Sequence, residues 1–238
     1  MKFVGNAWKL SPSDLTFLFD ECPRCFWLKV AGNLPRPRTP FPKVFTLLDV
    51  QTKRFFEGKR TEELADELRA GRVAFGDRWI RSGPILVPGH ERVLLLAGRF
   101  DTAIAFDDDT FGIIDFKTTK PADHHVELYG RQLHAYALAA ENPAPGNLCL
   151  RPVSQMGLLC MEPTTMMALG EDVAYRGTPH WVEIERDDVG FLAFLTRVLD
   201  ILELPGPPEA APDCSFCRYI LENLLILMVR TPGEEAQR

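Results

Sequence analysis

Apolar residues recur at helical spacing in several segments of the chain, and apolar and β-branched residues cluster between them. The helical spacing predicts helices over residues 13–30, 43–57, 61–70, 125–141 and 187–204, and a last short helix after residue 213. Strands are predicted within residues 79–119 and around 152–162 and 173–185. This order of elements predicts an α/β fold in which helices flank one central mixed sheet.

The length and composition are those of a globular protein with one sizeable core. The chain has 238 residues, of which 46% are hydrophobic and 25% are charged. The sequence contains no run of eighteen uncharged apolar residues, so it predicts no membrane span. The first fifteen residues lack the apolar centre of a signal peptide. We therefore expect a cytoplasmic protein that does not bind a membrane.

Charge is distributed unevenly along the chain. The net charge of −6 argues by itself against nucleic-acid binding, but nine basic residues between Arg24 and Arg60 are opposed only by Asp49 and Glu57. They are Arg24, Lys29, Arg36, Arg38, Lys43, Lys53, Arg54, Lys59 and Arg60. A local basic surface attracts a polyanion despite a negative net charge, so this segment predicts phosphate contacts. A solvated basic face without a ligand is the alternative.

The segment LLLAGRFDTAIAFDDDTFGIIDFKTTK predicts two antiparallel strands joined by a turn of three aspartates. If Phe106 faces Thr110, Asp101 lies directly across from Asp115, with Cβ atoms about 4.5–5.5 Å apart. Lys117 then lies two residues further along the same face. Two opposed carboxylates repel each other, and a divalent cation between them turns that repulsion into coordination.

Oxygen ligands of this kind suit Mg²⁺ or Mn²⁺, and the neighbouring Lys117 can orient or deprotonate an attacking water and offset phosphate charge. The alternative is a hairpin whose two aspartates merely face solvent. The consecutive apolar residues Ile113 and Ile114 indicate a strand that is covered on both faces. They therefore favour a functional pair of acids.

These motifs together resemble the PD-(D/E)XK nuclease superfamily, in its RecB-like branch. GRFD, IIDFKTTK and YGRQLHAYALA carry the resemblance. It implies a restriction-endonuclease-like core in which Asp101 and Asp115 are the metal-binding acids and Lys117 is the catalytic lysine. It also implies that the backbone carbonyl of Phe116 completes the metal coordination.

The same resemblance assigns two residues of the following helix to the site. Gln132 and Tyr136 match the Q-x-x-x-Y signature of the family. Tyr129 and Leu133 lie at spacings that put them on the same helix face, directed at the sheet. Ordinary core packing is the alternative for this face.

Two C-x-x-C pairs, Cys22 with Cys25 and Cys214 with Cys217, provide a complete set of four thiolates. A reducing cytoplasm disfavours disulfides, so the spacing indicates a metal. The segment SPSDLTFLFDECPRCFWLK resembles RecB-like, CRISPR-associated and recombination nucleases, whose terminal cysteines hold a [4Fe–4S] cluster. The resemblance implies such a cluster here. Zn²⁺ is the main alternative, and free or redox-active thiols are the third.

The cysteine pattern departs from that of the relatives, which have one early and three late cysteines. This chain has two and two, and Asn223 stands where the last late cysteine is expected. The clamp predicts a single nuclease domain over residues 1–238. Residues 1–40 and 205–238 would form a cysteine-clamped cap on a nuclease core of residues 41–204.

The helix predicted at 43–57 lies where the relatives place a metal-facing Glu or His. Gln51 shares an apolar face with Leu47 and Phe55, whereas Asp49 lies about 160° away on the helical wheel. We therefore predict that Gln51 replaces the acid as a neutral metal ligand. A core glutamine without metal contact is one alternative, and Asp49 as the missing acid is another.

The functional prediction is a metal-dependent nuclease that hydrolyses DNA phosphodiester bonds, acting as an exonuclease on single-stranded or end-containing DNA. Its cofactors would be Mg²⁺ or Mn²⁺ and a structural [4Fe–4S] cluster. Its protein partners would belong to a repair or CRISPR pathway. The alternative is a catalytically weak nucleic-acid-binding or adaptor protein that keeps the fold and holds structural zinc. RNA as a substrate is not excluded by these residues.

Overall fold

A central sheet of eight strands organises the computed structural model, which describes residues 3–4, 6–37 and 40–229. The strands in this part of the chain are β1 (Phe3–Val4), β2 (Ala7–Leu10), β3 (Gly71–Arg81), β4 (Ile85–Leu86), β5 (Val93–Phe106), β6 (Phe111–Lys117), β7 (Val153–Met161), β8 (Thr165–Leu169), β9 (Asp172–Arg176) and β10 (Pro179–Glu183). Strands β8 and β9 form a separate hairpin.

Strand β5 is the axis of the sheet. It pairs in parallel with β2 and antiparallel with β3, β4 and β6. Strand β6 pairs in parallel with β7, which pairs antiparallel with β10. The sheet is therefore mixed, as predicted.

Helices cover both faces of this sheet. They are α1 (Phe17–Glu21), α2 (Pro23–Val30), α3 (Lys43–Phe56), α4 (Asp123–Glu141), α5 (Asp188–Leu202) and α6 (Ser215–Val229). Ile113 packs into the larger core with residues of α2, α4 and α5, whereas Ile114 packs into a smaller core with Phe56 of α3. Each of these two isoleucines is about fully buried, which contributes about 1.5–3 kcal/mol per side chain. The predicted fold class, an α/β core with a central mixed sheet flanked by helices, is confirmed.

The helix predicted at 13–30 is broken into a 3₁₀ turn at Pro12–Leu15 and the helices α1 and α2. The break lies at Cys22, whose backbone is extended with φ −165° and ψ 111°. Pro23 follows Cys22, and the proline ring excludes the helical conformation from the residue before it. Because Pro23 also begins α2, Cys22 and Cys25 come to lie on the first turn of a new helix.

The second difference concerns the helix predicted at 61–70, which is a single 3₁₀ turn at Thr61–Glu63. Leu64 and Leu68 are buried in the smaller core, so packing outweighs the helical preference of the charged residues around them. Strand β3 begins at Gly71, where a Cβ would lie 2.6 Å from the carbonyl oxygen of Ala105. The strand predicted at 173–185 is also divided, into β9 and β10.

The first strands of the chain were not predicted. Strand β2 pairs with the start of β5, so residues 7–10 belong to the central sheet rather than to a cap outside it. The predicted boundary at residue 40 therefore does not separate a cap from the nuclease core. Within the described residues, no helix is long and apolar enough to cross a membrane.

Candidate functional site

The neighbouring strands β5 and β6 bring two aspartates together just beyond their last paired residues. Thr102 pairs with Ile114 in the register predicted from the turn, and Asp101 and Asp115 follow this pair. Asp101 Oδ2 accepts a hydrogen bond of 3.3 Å from the Phe116 backbone N–H, and the two carboxylates are close enough for each to shift the pKa of the other. The Asp115 side chain is 6% exposed and that of Asp101 is 20% exposed. Strands β5 and β6 thus place two neighbouring carboxylates in one cleft, of which Asp115 is the more deeply buried.

Burial acts to raise the pKa of both acids, and their different neighbours drive the two values apart. Burial raises the pKa of Asp115 to about 7, with a further contribution from the Asp101 charge and against the opposing effect of Lys117. Burial also acts on Asp101, but its hydrogen bond with Asp115 and its contact with Lys53 lower the pKa of Asp101 below the ordinary value. The pair therefore holds one proton between two carboxylates near neutral pH, as two acids at contact distance do.

Lys117 lies beside this pair. Its ammonium forms an ion pair with Asp115 and lies 3.8 Å from the ring centroid of Tyr129 on α4. A carboxylate on one side and an aromatic face on the other fix the position of the charge. The Lys117 side chain is nevertheless 18% exposed, and it lines the same cleft as the two acids.

Helix α3 adds a third carboxylate to the cleft. Asp49 lines it, whereas Gln51 is exposed on the opposite side of the helix. The placement predicted for Gln51 is therefore wrong. Leu47 and Phe55 share a helix face with Gln51, and their side chains are 51% and 61% exposed. The apolar face that the sequence assigns to the core thus points to solvent, and the face with Asp49 points to the sheet.

Lys53 follows Asp49 by one turn of α3 and joins it to the sheet. Its Nζ lies 2.9 Å from Asp49 Oδ2 and 2.7 Å from Asp101 Oδ1. Burial opposes the charge, but the hydrogen bonds to Asp101 and Asp49 raise the pKa of Lys53 above its ordinary value. The sequence analysis counted Lys53 only as one basic residue among nine. Its i, i+4 spacing from Asp49 was the available signal.

Helix α4 packs the predicted Q-x-x-x-Y residues against β5. The Tyr136 hydroxyl donates a 2.7 Å hydrogen bond to the backbone oxygen of Arg99, two residues before Asp101. Gln132 Nε2 donates a 3.4 Å hydrogen bond to the oxygen of the same hydroxyl, and Gln132 lines the cleft. Burial, opposed by the Gln132 contact, raises the pKa of Tyr136 to about 12, so the hydroxyl stays protonated. The helix face is thus directed at the sheet as predicted.

The cleft over these residues has a volume of about 390 Å³. Phe116 lies on its floor, stacked against Phe56 of α3 with ring centroids 5.7 Å apart. Phe41 and Phe45 line its mouth, with ring centroids 5.6 Å apart and exposures of 72% and 41%. A cluster of acids and lysines at the bottom and two exposed aromatic rings at the entrance suit a ligand with both charge and flat apolar groups.

The four cysteines of the C-x-x-C pairs meet at a second site. Their Sγ atoms all lie within 4.8 Å of one another. Cys25 Sγ is 3.4 Å from Cys217 Sγ and 3.8 Å from Cys214 Sγ, and Cys22 Sγ is 3.9 Å from Cys217 Sγ. Such a cluster is a complete thiolate site for a metal, as the spacing predicted, and it joins the first helices to α6, as the resemblance implied.

The surroundings of this cluster shift the pKa values of its thiols in opposite directions, since burial raises the pKa of Cys25 and of Cys217 above the ordinary value. Burial acts against the charge of Cys22, but backbone hydrogen bonds with Ala211 and Cys25 lower the pKa of Cys22 to about 7. Arg36 donates a 3.4 Å hydrogen bond to Cys214 Sγ and a 2.6 Å hydrogen bond to Glu21. A guanidinium beside the sulfurs offsets the negative charge that four thiolates bring to one metal ion.

The basic segment is divided among several tasks. Lys29, Lys59 and Arg60 form ion pairs with acids of the chain itself. Arg36 and Lys53 belong to the cysteine and carboxylate sites described above, and Arg38 lies outside the described residues. The exposed basic residues of the segment include Arg24, Lys43 and Arg54. Fewer of the nine basic residues are therefore available for the predicted phosphate contacts than the sequence suggests.

Comparison with known proteins places this geometry in a family. The profile of the PD-(D/E)XK nuclease superfamily matches residues 44–220, which is well over half of the chain and includes both acids and the lysine. The crystal structure of SSO0001 is similar, with a TM-score of 0.50 and 16% identity over 90% of this chain and 84% of that chain. At this identity the similarity shows the fold alone. No curated protein matches the chain. The extent of the family match shows that the chain belongs to the PD-(D/E)XK nuclease superfamily, whose members are metal-dependent nucleases.

Proposed function

We propose that the protein is a divalent-metal-dependent deoxyribonuclease in which Asp101 and Asp115 bind Mg²⁺ or Mn²⁺. The contact between these two carboxylates at the bottom of a cleft carries the proposal. Carboxylate oxygens are the ligands that both cations prefer, and the proton shared by the pair is displaced when a cation binds. The backbone oxygen of Phe116, which lies between Asp115 and Lys117 in the chain, would complete the protein ligands.

We assign the third acid of the site to Asp49 instead of Gln51. Asp49 lines the cleft with the two strand acids, and Lys53 bridges it to Asp101. A carboxylate binds a hard cation more strongly than an amide oxygen, so this assignment restores an acidic site. It also removes the main argument for a catalytically weak protein, which was the missing acid.

The chemistry follows from the groups that surround this site. A divalent cation held there supplies Lewis-acid stabilisation of the phosphate and makes water a better nucleophile. Lys117 carries its ammonium beside Asp115, where it can orient the attacking water and offset charge developing on the phosphate. Gln132 offers an amide to the cleft, and Tyr136 positions β5 through the oxygen of Arg99.

The aromatic rings at the mouth support a single-stranded substrate or one with free ends. Phe41 and Phe45 expose ring faces that line the entrance of the acid-containing cleft. Unpaired bases stack on such rings, at about 1–3 kcal/mol per base, whereas paired bases are buried inside the duplex. Lys43 and Arg54 are exposed on the same helix and would supply phosphate contacts.

The resemblance to RecB-like nucleases supports exonucleolytic action and partners from a repair or CRISPR pathway. Helix α6 offers a surface for a protein partner, because Tyr219, Leu221 and Leu224 are more than half exposed on it.

We further propose that the four cysteines bind one Zn²⁺ ion instead of a [4Fe–4S] cluster. Tetrahedral zinc with Zn–S bonds of 2.3 Å holds its sulfurs about 3.8 Å apart. Three of the six sulfur pairs, at 3.4, 3.8 and 3.9 Å, agree with that spacing, and all four sulfurs lie within 4.8 Å of one another. A cluster of four irons and four sulfides occupies the space between its thiolates, so it needs a wider set of sulfurs than this one.

Digestion of end-labelled DNA tests the nuclease proposal. The wild-type protein should degrade single-stranded DNA in Mn²⁺ and lose this activity in EDTA. Lys117→Ala and Asp115→Ala should each reduce the rate more than a hundredfold while circular dichroism shows a folded protein. Persistent cleavage in EDTA, or in both variants, would exclude this mechanism. Labels at the 5′ and 3′ ends, and an RNA of the same sequence, separate exonuclease from endonuclease and DNA from RNA.

Elemental analysis of anaerobically purified protein tests the metal proposal. We expect a colourless protein with about one zinc per chain. A brown protein with about four irons per chain, whose visible absorbance bleaches on reduction, would establish the [4Fe–4S] cluster instead.

A further inference from the structure

Lys53 lies between two carboxylates of the proposed metal-binding cleft. Its side chain is 18% exposed, and its Nζ touches Asp49 Oδ2 at 2.9 Å and Asp101 Oδ1 at 2.7 Å. Two of the three cleft carboxylates therefore already hold a cation that belongs to the chain. These contacts use oxygen atoms that a divalent ion bound to both aspartates would need.

The geometry points to Lys53 as an internal competitor that occupies the metal site in the metal-free protein and lowers its affinity for divalent cations. This inference rests on the proposed metal site at Asp101. An ammonium and a divalent ion cannot both sit between Asp49 and Asp101, because their charges repel each other at contact distance. Cation binding must therefore displace the Lys53 head group from at least one of these acids.

The displaced ammonium has a second use at the same place. Lys53 and Lys117 nearly balance the three carboxylates of the metal-free cleft. A divalent cation added to these five groups leaves an excess of positive charge. Because the Lys53 stem is flexible and lies on α3 with Asp49, its ammonium can turn toward a phosphate at the cleft. The competitor then becomes a phosphate contact, so binding of metal and of a phosphodiester support each other.

Direct titration with Mn²⁺ in the absence of DNA tests this inference, since no turnover complicates the measurement. Lys53→Met removes the charge and keeps the apolar stem, so it should bind Mn²⁺ at least tenfold more tightly than wild type. Lys53→Gln keeps hydrogen-bond donors without the charge, and it should also bind more tightly if Lys53→Met does not fold. Lys53→Arg should stay close to wild type. Lys9→Met, at an exposed position in β2, is the control for loss of a lysine charge.

The outcomes separate this inference from the proposed function. If Lys53→Met and Lys53→Gln bind Mn²⁺ no more tightly than wild type while Asp101→Asn abolishes binding, Lys53 is no competitor, although the metal site stands. If Asp101→Asn leaves Mn²⁺ binding unchanged, the metal site and the role of Lys53 both fail. The double variant Lys53→Met with Asp101→Asn should lose the gain in affinity, because the ammonium and the ion share that carboxylate.

Discussion

Replacement of Asp115 by asparagine should stabilise the metal-free protein and abolish its activity. Asp115 is buried beside Asp101, and burial raises the pKa of Asp115 to about 7. The folded protein thus binds the Asp115 proton more tightly than the unfolded chain does. The free energy of unfolding contributed by this group consequently falls as the pH rises from about 4 to about 7, and it stays low above that range. Asparagine has the same shape and carries no charge, so the free energy of unfolding of the variant does not fall in this pH range for this reason.

The size of the effect follows from the two pKa values. The pKa of Asp115 is about 7 in the folded protein and near 3.9 in the unfolded chain. This difference in pKa corresponds to about 4 kcal/mol of free energy of unfolding. The buried asparagine amide needs hydrogen-bond partners, and any that it lacks reduce the stabilisation. We therefore expect the free energy of unfolding to rise by about 2–4 kcal/mol at pH 8. Each kcal/mol shifts the midpoint of thermal unfolding by about 2–4 °C in a chain of this size.

Thermal unfolding in buffer without Mg²⁺ or Mn²⁺ measures this difference. The midpoint of Asp115→Asn should exceed that of wild type by at least about 4 °C at pH 8 and approach it at pH 5. Asp172→Asn, at an exposed position in β9, should match wild type at both pH values. If Asp115→Asn is less stable than wild type at pH 8, or if its advantage does not depend on pH, the buried acid is not strained as we infer. Added Mn²⁺ should stabilise the wild type and leave Asp115→Asn nearly unchanged.

Three further variants test other parts of the structure. Tyr136→Phe should lower the free energy of unfolding in urea by about 0.5–1.5 kcal/mol and slow cleavage, because the Arg99 backbone oxygen loses a partly buried hydrogen bond. Unchanged stability would mean that another group satisfies that oxygen. Arg36→Met should speed removal of the cysteine-bound metal by a chelator severalfold, as followed with a coloured indicator, because Cys214 loses its hydrogen bond. Equal rates would leave Arg36 without a role at the metal. Phe45→Ala should weaken binding of single-stranded DNA about tenfold and of duplex DNA much less. Equal losses on both would argue against base stacking.

The hairpin with the two acids could be predicted from sequence because it depends on local chemistry. Three consecutive aspartates define the turn, and the period of two along each strand then fixes which side chains face each other. Phe106 accordingly donates its backbone N–H to the oxygen of Thr110. A hairpin of this kind carries its register within fewer than twenty residues, so no distant contact was needed.

The orientation of α3 could not be predicted in the same way. Apolar residues lie on both sides of this helix. Buried residues are mostly apolar, but many apolar residues remain exposed, so an apolar face does not by itself identify the buried side. Leu47 and Phe55 are of this kind, whereas Asp49 faces the sheet because the acids and lysines of the cleft bind each other there. Strand β2 escaped prediction for a related reason. Its partner in β5 is more than eighty residues away in the chain.

A metal ion bound by the four cysteines would turn the chain between them into a closed ring. Cys25 and Cys214 are 189 positions apart, and a permanent link across a loop of that length restricts the unfolded chain by about 5 kcal/mol. A nick in the exposed connection at residues 32–37 would therefore open the ring without releasing either piece. The metal and the pairing of β2 with β5 would still hold the short amino-terminal fragment in place. Removal of the metal from a nicked protein would leave that fragment attached by packing and strand pairing alone, so the two pieces should separate at a lower denaturant concentration once the metal is lost.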